Sequence, residues 1–84
     1  MIIEVEQRAS ADAANQQQAS MAGDYTGNST TRTIAGRTVV AGTRGQYAAA
    51  VFVDGSLTVI VELHGQSGAD LIEAAFAVVE SITK

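Results

Sequence analysis

The dipeptide Asp54-Gly55 sits between two apolar runs, residues 46–53 and 56–63, and this juxtaposition constrains the fold more than any other feature of the chain. Asp-Gly tolerates the positive backbone angles of a two-residue type I′ turn, whose twist matches that of the strands it joins. A tight hairpin follows, with Val53 opposite Ser56 and Phe52 opposite Leu57. Side chains alternate along a strand, so one face of the hairpin carries Ala48, Ala50, Phe52, Leu57, Val59, Val61 and Leu63, all apolar. The other face is mixed, with Tyr47, Ala49 and Val51 against Thr58, Ile60 and Glu62. The first face needs a cover. The second is open to solvent, to the N-terminal helix or to another subunit.

The cover is written at the C-terminus. Leu71, Ile72, Ala75, Phe76, Val79 and Ile82 recur at three- and four-residue spacing, while Asp70, Glu73 and Glu80 take the opposite side. Ser67 followed by Asp70 has the form of a shortened capping box and starts this helix. Burying four large side chains of the stripe is worth roughly 1.5–3 kcal/mol each before entropy is counted, which makes the helix the main contributor to stability. The small Ala48 and Ala50 opposite it permit a close approach.

Upstream, Ile3 and Val5 alternate with Glu4 and Glu6, the pattern of a half-buried outer strand. Ser10 or Asp12 then caps a short helix through Met21, which Gly23 closes, and its apolar stripe is almost all alanine. Thr30 to Ile34 and Arg37 to Val40 form a strand pair around Ala35-Gly36, where Gly36 supplies a positive φ. Gly42 and Gly45 bracket the next connection. The expectation is one α+β domain over residues 1–84. It comprises an antiparallel sheet of about four to five strands, a C-terminal amphipathic helix on one face and a weaker N-terminal helix.

Composition removes several functional classes. The 84 residues are 46% hydrophobic and 17% charged, the balance of a globular chain. A net charge of −4, spread singly, disfavours nucleic acid, which needs a concentrated basic face. Arg32, Arg37 and Arg44 fall close together and are weighed as an anion site on one side of the sheet, against the plainer reading of a solvated strand face. With no cysteine there is neither disulfide nor thiolate. No run reaches the roughly 18 apolar residues of a membrane span, so no membrane insertion is expected, and no signal peptide is evident. Localisation stays open between cytoplasmic and, for a domain excised from a longer protein, extracytoplasmic.

Chemistry-bearing residues are few. His64 is the only histidine, at the exit of a strand where general bases and ligands occur, but it has no Cys to activate and Ser67 is explained as a cap. Asp24, Asp54 and Asp70 each have a turn or helix-terminus role. Gly42-Thr43-Arg44-Gly45 lacks the ending of a phosphate loop, and Asn28-Ser29-Thr30 is a glycosylation pattern only in a eukaryotic secretory setting. No catalytic residue, cofactor or metal ligand is assigned. Tyr25 and Tyr47 are the large amphipathic aromatics, with Tyr47 the better interface anchor.

Thr33 to Val40, Tyr47 to Val53, Asp54-Gly55, Leu57 to Leu63 and the helix Asp70 to Ile82 follow one another as strand, Gly turn, strand, strand, Asp-Gly, strand, helix. This order resembles the C-terminal half of small bacterial extracytoplasmic modules that end lipoprotein or anti-sigma-linked proteins, broadly similar to the PsbP and Mog1 type of α/β sandwich. The resemblance implies fold and carries no catalytic residue with it. A second similarity is to Roadblock-type domains, which also finish with a hairpin and a helix and pair through their sheets. The functional expectation is a noncatalytic binding or protein-interaction domain, an extracytoplasmic sensor or accessory module, meeting a protein partner through Tyr47, Val51, Thr58 and Ile60. Two alternatives stand beside it: a structural homodimer, and a small ligand-binding protein or enzyme with a pocket near His64.

Overall fold

Three two-residue turns, ten residues apart, lay out most of the sheet. In the computed structural model, which describes residues 2–65 and 68–83, the chain runs β1 (Ile2–Gln7), α1 (Ala11–Asp24), β2 (Gly27–Ile34), β3 (Arg37–Arg44), β4 (Tyr47–Asp54), β5 (Leu57–His64) and α2 (Gly68–Ile82). The strands from β2 to β5 are each eight residues long and form a meander. β1 adds to β5, giving the antiparallel order β1-β5-β4-β3-β2. The α+β class, the outer position of the first strand and both helices are as the sequence predicts.

The turns differ in detail. Ala35 (φ 53°) and Gly36 (φ 77°) both take positive angles, the type I′ pattern. In the turn after β4 only Gly55 does (φ 62°), and the ladder closes as Asp54 opposite Leu57 and Phe52 opposite Val59. The loop is therefore Gly55-Ser56, not Asp54-Gly55. Gly55, lacking a Cβ, takes the left-handed conformation at no steric cost, whereas a type I′ turn centred one residue earlier would impose it on Asp54 as well. The pairing moves by two positions, so every side chain keeps the face expected of it.

On the predicted apolar face, Val39, Ala41, Ala50, Phe52, Val59 and Val61 pack with Ile72, Ala75, Phe76 and Val79 of α2 as one buried core. Ala48 and Ala50 are fully buried beneath the helix, as their size requires. Ile82 departs from expectation. It is 43% exposed, because α2 lies over β2 to β5 and its last turn projects past the core. Arg32 lies over the Phe76 ring, 4.4 Å from its centroid, and holds Glu73 through both guanidinium nitrogens. The cap expected at Ser67 lies outside the described residues.

The opposite face is covered by α1, which joins the two outermost strands. Fourteen residues of helix reach about 21 Å, close to the roughly 19 Å width of five strands. Ser10 is the N-cap, its hydroxyl accepting from the Ala13 amide at 3.1 Å. Gly23 does not end the helix; Tyr25 does, donating its amide to the Met21 carbonyl at 3.0 Å. Alanine is what docks it: Ala14 is fully buried. The β3–β4 ladder stops at Val40 opposite Val51, and Gln18 spans the opening, its side-chain amide donating to Val51 O (2.8 Å) and Thr38 O (3.0 Å). Midway along the helix, Gln17 donates to Glu6, which also accepts from Arg8; these bonds tie α1 to β1 and hold the Glu6 carboxyl below its usual range.

Candidate functional site

α1 stops one row short of the end of the sheet, and that row is polar and aromatic. Arg44, Tyr47 and His64 are lateral neighbours on β3, β4 and β5, and alternation puts all three on the α1 face. The next row inward is Gly42, Ala49 and Glu62. Gly42 decides the geometry: a Cβ there would lie 1.8 Å from the Tyr25 carbonyl oxygen, so only glycine lets the chain leaving α1 rest on the strand. Tyr25 then donates its hydroxyl to Glu62 Oε1 at 2.8 Å. Burial, followed by this bond to a carboxylate, pushes the Tyr25 phenol up to about 12.

The result is an open cleft of about 560 Å³ walled by Tyr25, Arg44, Tyr47, Glu62 and His64. The Tyr47 and His64 rings meet with centroids 4.8 Å apart at 46°. Their strands are clamped beyond the last pair by the Gly65 amide donating to Gln46 O at 2.9 Å. Chemically the cleft presents a guanidinium, a carboxylate with one oxygen engaged, and three rings. Tyr25 acts as a proton donor to Glu62; with its phenol at about 12 it is no base near neutrality. Among the described residues, no group of three or more His, Asp or Glu side chains is arranged to hold a metal ion.

The four residues expected to meet a partner do not share an exposed surface. Tyr47 is half exposed at the cleft, whereas Val51, Thr58 and Ile60 are 2%, 0% and 4% exposed beneath α1. The mixed sheet face that they were to offer a partner is covered by the chain's own helix. Nor do the three arginines share a face. Arg32 and Arg37 lie on the α2 side, paired with Glu73 and Asp54, while Arg44 lies on the α1 side in none of the ion pairs among the described residues. His64 does reach a pocket at the end of α1. Sequence reasoning missed Tyr25, Arg44 and Glu62 as a group; the available signal was Gly42 and Ala49, adjacent small residues that mark a close approach.

A second surface lies on the α2 side. Ile3 and Val5 pair with Val61 and Val59 and so extend the apolar face beyond the reach of α2. They remain 42% and 60% exposed. With Phe52, Leu57, Val59 and Ile82, and with the paired Arg37 and Asp54, they line a largely apolar groove of about 430 Å³. Among the described residues, the strand beside it is an edge, paired only with β5. No described helix is long and apolar enough to cross a membrane.

No protein-family model, curated protein or solved structure matches the chain.

Proposed function

We propose that this chain is a noncatalytic protein-interaction domain that takes an extended strand of another protein along β1, acting as a sensor or accessory module. The observation that carries the reading is the juxtaposition of a free strand edge with an apolar groove whose rims are Ile3, Val5 and Ile82, all more than 40% exposed. An edge supplies main-chain hydrogen bonds for an added strand, and the groove supplies pockets for its alternate side chains. Charge favours a foreign strand over a second copy. Two copies of β1 paired antiparallel about Glu4 set Glu4 against Glu4, and like charges directly opposite are destabilising. A partner strand that alternates apolar residues with lysine or arginine meets both needs.

The test uses a synthetic eight-residue peptide alternating valine and lysine, with a valine and glutamate peptide as control, both titrated into isotopically labelled protein. Binding of the lysine peptide with slowed amide exchange along β1, lost in Val5→Glu and absent for the control, is the expected result. Binding elsewhere, or equal binding of the two peptides, removes the proposal. Light scattering over a wide concentration range addresses self-association. A dimer abolished by Val5→Glu would shift the reading to a structural homodimer.

A further inference from the structure

We infer that the cleft at the end of α1 is a binding site for a small zwitterion with a flat apolar body, the chemistry of an aromatic α-amino acid. Opposite charges from separate strands line it without neutralising one another: Arg44 on β3 and Glu62 on β5 share the cavity but form no ion pair. A ligand with one charge would satisfy one of them and face repulsion from the other. A ligand with both satisfies both, the carboxylate taking the guanidinium fork and the ammonium taking Glu62.

Glu62 is prepared for that task. Its Oε1 accepts from Tyr25, which orients the carboxylate and leaves Oε2 for a second donor. The rings of Tyr25, Tyr47 and His64 line the same cleft as the two charges and form its walls. The Tyr47 and His64 rings, tilted at 46° to one another, both line the cavity and offer it aromatic surface. The volume of about 560 Å³ falls in the range of small-molecule sites. None of these residues belongs to the β1 groove, so this site stands or falls independently of strand binding.

The experiment is an equilibrium titration of the intact chain with the standard L-α-amino acids, followed by NMR shifts of the cleft residues. L-phenylalanine is then compared with its methyl ester, which lacks the carboxylate, and with N-acetyl-phenylalanine, which lacks the ammonium. The expected result is preferential binding of aromatic amino acids at the cleft and at least tenfold weaker binding of both derivatives. Arg44→Gln should abolish the discrimination against the ester alone, and Glu62→Gln the discrimination against the acetyl derivative alone. Glutamine at 62 still accepts from Tyr25, so folding is retained, and a thermal melt of each variant confirms it. Failure of every amino acid to bind overturns the inference. So does N-acetyl-phenylalanine or the ester binding as tightly as L-phenylalanine, since a single-charge site would then be sufficient.

Discussion

Replacing Gly42 with alanine adds one methyl group, and the geometry predicts that it is among the most damaging small substitutions available. The new Cβ would lie 1.8 Å from Tyr25 O and 2.8 Å from Tyr25 C, and both are backbone atoms that no rotamer change can move aside. Accommodating it by shifting strand or helix terminus costs about 1–3 kcal/mol as overpacking. Moving Tyr25 also breaks its bond to Glu62, and a hydrogen bond to a charged acceptor is worth about 1.5–3 kcal/mol. Against this, alanine reduces the freedom of the unfolded chain, a gain of roughly 0.4–1 kcal/mol. The balance is a loss of about 2 kcal/mol or more, a fall in Tm on the order of 10 °C for a domain of this size. Gly23→Ala is the control. That glycine is helical with nothing within 4 Å of an added Cβ, so the same chemical change should raise stability by up to about 1 kcal/mol. Urea and thermal unfolding of both variants measure the pair. If Gly42→Ala unfolds within about 0.5 kcal/mol of the parent, or if both variants lose stability equally, the account of Tyr25 resting on the strand is wrong.

Three further outcomes follow from the same face of the sheet. Thr58 Oγ1 is buried with no hydrogen-bond partner among the described residues, so Thr58→Val should raise the urea midpoint, by about 1 kcal/mol in stability; a loss would mean that the hydroxyl is satisfied after all. Gln18→Ala leaves the carbonyls of Thr38 and Val51 without the amide that bridges them. A loss of about 1 kcal/mol is expected, with faster amide exchange at the open end of β3 and β4 as the distinguishing sign. Tyr25 titrates at about 12 in the folded chain against 10.0 as its reference value, so its contribution to stability is complete below pH 10 and is lost as pH rises from 10 to 12. Unfolding midpoints across that window should fall more steeply in the parent than in Tyr25→Phe; identical slopes would show that the phenol is not held as described.

Much of the architecture was legible because alternation and helical spacing are local signals that the whole fold agrees with. Ala48, Ala50 and Phe52 on β4, Val59 and Val61 on β5, and the Ile72, Ala75, Phe76, Val79 stripe each define a face without knowledge of any partner. Their convergence into one core follows. The hairpin register was less accessible. Asp54-Gly55 and Gly55-Ser56 are both acceptable two-residue loops by composition, and the difference lies in which residue bears the positive φ. Ile82 continues the helical period yet lies 43% exposed, because periodicity fixes direction around a helix but not where the sheet beneath it ends.

The sites were harder to see for a reason that lies in α1. Its buried contact is made by Ala14 and by the amide of Gln18, neither of which gives an amphipathic pattern, so nothing in its own residues says that it covers Val51, Thr58 and Ile60. Once it does, the exposed surface on which the two proposals rest lies elsewhere, in the row that α1 leaves bare and the strand that α2 leaves bare. Both consequences were encoded at a distance, in residues that interrupt a strand pattern. Gly42 and Ala49 are too small to fill a sheet face, and Glu62 is charged where its neighbours on β5 are apolar. Read as a laterally adjacent trio, they specify a chain resting on the strands with a polar group waiting for it, and Tyr25 is the first residue after α1 able to supply both.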